Sequence, residues 1–162
     1  MTEPHSANRI ESAVGLIQIV AGLFAATSVG VTAVRELTSV TFATAATTLL
    51  EVGYFSACLI AGGGLMAHGK IARIVSMWLQ VTQIPIVFWN SVGYSIVAGL
   101  SVAVSWLPEE TIGLALFWGA DVNLVSGNPG EFRLGVNVLA FVAAALLAKV
   151  HGSNARCAPA SA

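Results

Sequence analysis

The stretch Met77–Asn90, MWLQVTQIPIVFWN, decides the fold. It carries no charge, yet it holds two glutamines, an asparagine and a proline. It belongs to an uncharged run from Ile74 to Leu107, which as one helix would be about 50 Å long. A bilayer's hydrocarbon core is about 30 Å thick, so such a helix must tilt, kink or protrude. Pro85 is the expected hinge, because proline removes a backbone donor and clashes with the preceding turn. The expected span is about 74–100, with the part after Gly93 reaching the far interface.

Helical geometry sorts the polar residues of this run. At about 100° per residue, Gln80, Gln83, Asn90 and Tyr94 share one face, with Ser76 beside them. Trp78 and Trp89 lie opposite. Proline bends a helix away from its own side, so the polar face is expected to be concave.

The rest of the chain reads the same way. Of 162 residues, 56% are hydrophobic and only 9% charged, with a mean hydropathy of +0.82. That is membrane composition, rich in the small residues that let helices approach closely in lipid. A net charge of -1 offers no basic surface for nucleic acid. The two cysteines form no CxxC pair, and His5, His68 and His151 lie outside or at the ends of the apolar runs, which disfavours haem. No metal or cofactor is expected.

Charges divide the chain into spans. Ser12–Val34 is an uncharged run of 23 residues, longer than a leader's apolar region and therefore read as a membrane helix. A second span at about 46–67 contains Glu51, and a last one at about 132–150 contains Asn137. Pro108-Glu109-Glu110 reads as a helix start. The following TIGLALFWG, Thr111–Gly119, is too short to span and reads as an interfacial helix, a re-entrant piece or a strand. SGNPGE, Ser126–Glu131, is a turn, and 151–162 a polar, disordered tail.

The fold expected is thus an all-α bundle of four transmembrane helices with a short outer loop. Arg9, Lys70, Arg73, Lys149 and Arg156 would lie on one side and only Arg35 and Arg133 on the other. This places both termini in the cytoplasm, in an inner (plasma) membrane such as a bacterium's. The short turn between helices two and three pairs positions summing to about 141, which sets Glu51 level with Asn90 and Cys58 with Gln83.

An intramembrane polar seam follows from that packing: Glu51, Asn90, Gln83, Gln80, Tyr94, Gln18 and Asn137. Small-residue stripes, Gly22/Ala26/Gly30 and Gly53/Ala57/Ala61 among them, would supply the close contacts. A carboxylate at Glu51's depth without a cationic partner is expected to be neutral. Amides in membrane helices commonly serve as interhelical hydrogen-bonding groups, so the seam is read first as structural. HExxH and GxSxG are absent, and no catalytic residues are assigned. The expectation is a non-enzymatic membrane protein that self-associates or joins other membrane proteins. The alternative is a small proton-coupled transporter or channel component using Glu51 and the amide seam.

Overall fold

The computed structural model describes residues 4–36, 41–89, 92–107, 110–126 and 132–156, with side chains over most of that length. Helix α1 (Pro4–Glu36) leads to α2 (Phe42–Met66) and α3 (Lys70–Thr82). Strands β1 (Pro85–Trp89), β2 (Val92–Leu107), β3 (Glu110–Ser126) and β4 (Arg133–Asn137) follow, and α4 (Val138–Arg156) closes the chain. The all-α four-helix bundle expected from the sequence is therefore incorrect: an antiparallel sheet occupies what was read as the second half of helix three and the outer loop.

Pro85 explains the change. A residue before proline is disfavoured in helical conformation, and proline cannot donate to the carbonyl four residues back. Helix α3 stops at Thr82, and Pro85 opens β1 instead of hinging one long helix. Beyond it the sequence alternates with period two. Ser101, Ala103 and Ser105 are buried, whereas Val104 and Trp106 between and after them are exposed. The expected span 74–100 is thus divided among α3, β1 and half of β2. The helix start expected at 108–110 is likewise superseded at Glu110, the first residue of β3, while 108–109 lie outside the described residues. The expected last span, about 132–150, begins as strand β4, and α4 continues to Arg156, into the stretch read as tail.

The sheet doubles back on itself. Strand β1 pairs antiparallel with β2 (Ile86 with Ser95, Trp89 with Val92) and with β4 (Ile86 with Gly135). Strand β4 in turn pairs antiparallel with the other end of β2, Val136 with Val104 and Leu134 with Trp106. Three straight strands cannot all be mutually antiparallel, so the two ends of β2 must run in opposite directions. Ordinary twist contributes only about 20–25° per pairing, so β2 itself bends between Ser95 and Ala103. Gly99 lies in that bend, opposite Gly119 of β3. Glycine is the residue that tolerates a tight corner in a strand. Across the array the order is the C-terminal half of β3, the N-terminal half of β2, β1, β4, the C-terminal half of β2, and the N-terminal half of β3. Among the described residues both outer edges therefore belong to β3.

Helices α1 and α2 form an antiparallel hairpin whose backbones approach closely at Gly15 and Gly62. A Cβ on either would come within 2.7 Å of the other's carbonyl oxygen. Gly22 is similarly crowded by Leu59, whereas Gly30 and Gly53, expected in the contact stripes, have nothing within 4 Å. Helix α2 ends in a Schellman turn: His68 N donates to Leu65 O and Gly69 N to Gly64 O, both at 2.9 Å. His68 occupies the left-handed position (φ 56°) that such turns usually give to glycine.

Candidate functional site

Helix α3 buries its polar side. Arg73, Ser76 and Gln80 are its buried residues, while Ile71, Ile74, Val75 and Trp78 are exposed. Helix α1 answers with buried Glu11 and Gln18 and an exposed rim of Leu16, Ile17, Val20, Leu23 and Phe24. At one end of this interface Glu11, 1% exposed, accepts from Arg73 through both Nε and a terminal guanidinium nitrogen. His68 Nδ1 lies 3.0 Å from the second carboxylate oxygen. Further along, Ser76 Oγ donates to Gln18 Oε1 at 2.8 Å.

At its far end α3 must satisfy the four carbonyls that every helix C-terminus leaves without an intrahelical donor. Each finds one. Tyr54 Oη of α2 donates to Leu79 O at 2.8 Å, as does Thr82 Oγ1. Gln83 N reaches Gln80 O and Ile84 N reaches Val81 O, the carbonyl that Pro85 cannot serve. Tyr94 Oη of β2 donates to Thr82 O at 2.7 Å. Gln83 Oε1 accepts from Ala98 N in the bend of β2, which ties helix to sheet. On the parallel track, Asn137 caps α4 by accepting from Ala140 N at 3.3 Å, and its own N–H donates to Ile84 O at 2.8 Å.

Of the residues expected in the seam, Gln80, Gln83 and Asn137 come together, lining a cleft of about 230 Å³ between α1 and α4. Its walls are apolar: Ile10, Val14 and Ile17 on one side, Leu139, Val142 and Leu146 on the other. Gln18 lies against Ser76 and Tyr94 against Thr82, outside the cleft. Glu51 is half-buried on α2, engaged in an interaction of its own, and also outside the cleft. Asn90 lies outside the described residues. The expected register between helices two and three is displaced: Tyr54 meets Leu79 and Thr82, not Val87.

Sequence reasoning missed the Glu11–Arg73–His68 cluster by treating these charges as span boundaries. The signal was present, since the expected topology puts all three on one side of the bundle and one is an acid. Among the described residues no group of three His, Cys, Asp or Glu side chains is placed to hold a metal ion.

Among the described residues two helical stretches, Ala7–Val31 and Ala45–Met66, are long and apolar enough to cross a membrane. Comparison with known protein families, curated proteins and solved structures finds no match to this chain.

Proposed function

We propose that this chain is an integral membrane protein without a catalytic role, whose helices and sheet form one lipid-embedded body that works by associating with a second copy of itself. The observation that carries the reading is inverted polarity. Helix α3 turns Arg73, Ser76 and Gln80 inward and Ile71, Ile74 and Trp78 outward. The sheet buries Ser95, Ser101 and Ser105 alongside Ile86, Val97 and Ala103, and exposes Val104, Ile112, Leu114, Leu116 and Val136. In water that arrangement is upside down; in lipid it is the favourable one.

Length supports the same reading. Thirteen residues of α3 rise about 20 Å and five of β1 about 16 Å, so helix plus strand reach about one hydrocarbon thickness. Strand β4 with the first turns of α4 does the same in the opposite direction, the two junctions joined by the Asn137–Ile84 bond. At the strand end Phe132 stacks edge-on between Trp89 and Trp106, with ring centroids 6.1 and 5.5 Å away. Such an aromatic cluster suits a water–lipid boundary. The opposite end carries Lys70 and Arg73, consistent with a cytoplasmic side there.

Association follows from the edge of the sheet. Among the described residues β3 pairs only with β2, leaving 17 residues with one unpaired side. An open edge is not tolerated in hydrocarbon, so β3 needs a partner strand. Cell fractionation followed by cysteine scanning of 112–117, with Cys58 and Cys157 replaced by alanine, tests this. The expected result is a carbonate-resistant membrane protein whose cross-linked dimers recur every second position. Release into the soluble fraction would refute the membrane reading. Cross-links to a different membrane protein would make the chain a subunit of a mixed complex, and no cross-links at any position would refute association through β3.

A further inference from the structure

We propose that the cleft between α1 and α4 binds an uncharged amphiphile from the lipid phase, with a carbonyl or hydroxyl head on the amide floor and an alkyl tail between the helices. The proposal rests on the membrane reading above and adds a ligand to it.

The floor has unspent donors. Gln80 is only 7% exposed and lines the cleft, yet its side-chain amide makes no hydrogen bond to any described residue. Asn137 spends Oδ1 on capping α4, which leaves its Nδ2 without a described partner. Gln83 differs: its oxygen accepts from Ala98 N and its nitrogen donates to Leu79 O, so it is fixed and holds the floor in place. Among the described residues the fully buried side-chain groups without a partner are Gln18 Nε2, Ser105 Oγ and Arg133 Nε. The Gln80 and Asn137 amides instead line the cleft, where a ligand oxygen accepting from them adds a hydrogen bond.

The walls choose the rest of the ligand. Among the described residues no charged side chain lines the cleft, so an ionic head would be desolvated without compensation. A cavity of about 150 Å³ holds benzene, so 230 Å³ suits a head of about nine non-hydrogen atoms. Ile17, Val142 and Leu146 line the cleft and are also exposed on the outer surface. The cleft therefore opens sideways, where lipid chains would lie, and a tail can leave by that gap.

The test is photolabelling of the full chain in phosphatidylcholine nanodiscs with a diazirine analogue of hexadecanol, competed by 4-butylcyclohexanone or by butylcyclohexane. The expected label falls on 10–17 or 139–146, and the ketone competes roughly 3- to 10-fold better than the hydrocarbon, as one added hydrogen bond implies. Gln80→Leu should erase the ketone's advantage, and Ala143→Phe, which fills the cleft, should abolish the label. Label spread evenly over Leu16, Leu23 and Phe24, or equal competition by the two compounds, would overturn the proposal while leaving the membrane reading intact. Failure of the wild-type chain to enter nanodiscs would overturn both. The wild-type comparison of ketone with hydrocarbon decides the matter even if a variant does not fold.

Discussion

Replacing Gly62 by alanine should separate α1 from α2, and the same change one residue later should not. A Cβ at Gly62 would lie 2.7 Å from Gly15 O, 3.0 Å from Ile19 Cγ1 and 3.1 Å from Gln18 Cβ. The first of these is backbone and cannot swing aside. A comfortable carbon–oxygen contact is about 3.3–3.6 Å, so the helices must move apart by at least about 0.6 Å along the crossing. That gap loosens Ala21, Ala25, Phe55 and Cys58, all buried in this part of the structure. Overpacking of this kind costs about 1–3 kcal/mol. Gly63 has nothing within 4 Å of its would-be Cβ, so Gly63→Ala carries the same helix-propensity gain without the clash. The difference between the two variants therefore isolates packing. Unfolding by SDS in mixed micelles, followed by far-ultraviolet circular dichroism and tryptophan fluorescence, would measure it. Gly15→Ala should resemble Gly62→Ala, and the double variant should lose less than the sum, because helices already parted accommodate the second methyl. Equal stability of Gly62→Ala and Gly63→Ala would refute the close crossing.

Other outcomes follow from the buried contacts. Arg73→Met should cost up to about 3–5 kcal/mol by leaving buried Glu11 with His68 as its remaining partner, and adding Glu11→Gln should restore much of it; the same SDS titration reads both. His68→Gly should be more stable than His68→Ala by about 1–2 kcal/mol, since both lose the Glu11 contact but only glycine relaxes the left-handed backbone. Tyr54→Phe removes the donor to Leu79 O and should destabilise by about 1 kcal/mol, seen as a lower SDS midpoint with an unchanged circular dichroism spectrum.

Some of this molecule can be read directly from residues. Helices α1 and α2 follow from apolar length, because each must present some 20 apolar residues to be a span and little else in a sequence does so. The run from Ile74 to Leu107 is harder, because absence of charge says "apolar surroundings" and nothing about backbone period. Two signals marked the change: Pro85, and the alternation of Ser101, Ala103 and Ser105 with Val102, Val104 and Trp106. A helical reading absorbs the proline as a kink and averages the alternation away. Thr111–Gly119 shows weak alternation as well, and a strand was one of its three sequence readings. The amides at the cleft were visible as polar residues in an apolar setting, but their meeting point was not. Gln83 and Asn137 are brought together by the pairing of β1 with β4, a long-range register with no local signature. Glu11 and Arg73 were hidden for the opposite reason: charges near span ends are usually solvated, so nothing local marks a pair that is buried.

The doubled-back course of β2 bears on how the chain can be made. Its C-terminal half has its inner neighbour in β4, and β1 likewise needs β4 on its second side. Those five residues, Arg133–Asn137, emerge only after the whole of β2 and β3 has been synthesised. A helix can enter lipid as soon as it is complete, since its hydrogen bonds are internal, whereas a strand cannot. In a membrane, α1 and α2 could therefore insert during synthesis, but β1, β2 and β3 would have to wait at the surface for the arrival of β4. A chain stopped before Arg133 would own most of the apolar surface of the finished protein and none of the strand that lets it be buried. Such products should be substrates for quality-control proteases, and the synthesis of Arg133–Asn137 becomes the step that lets the sheet close.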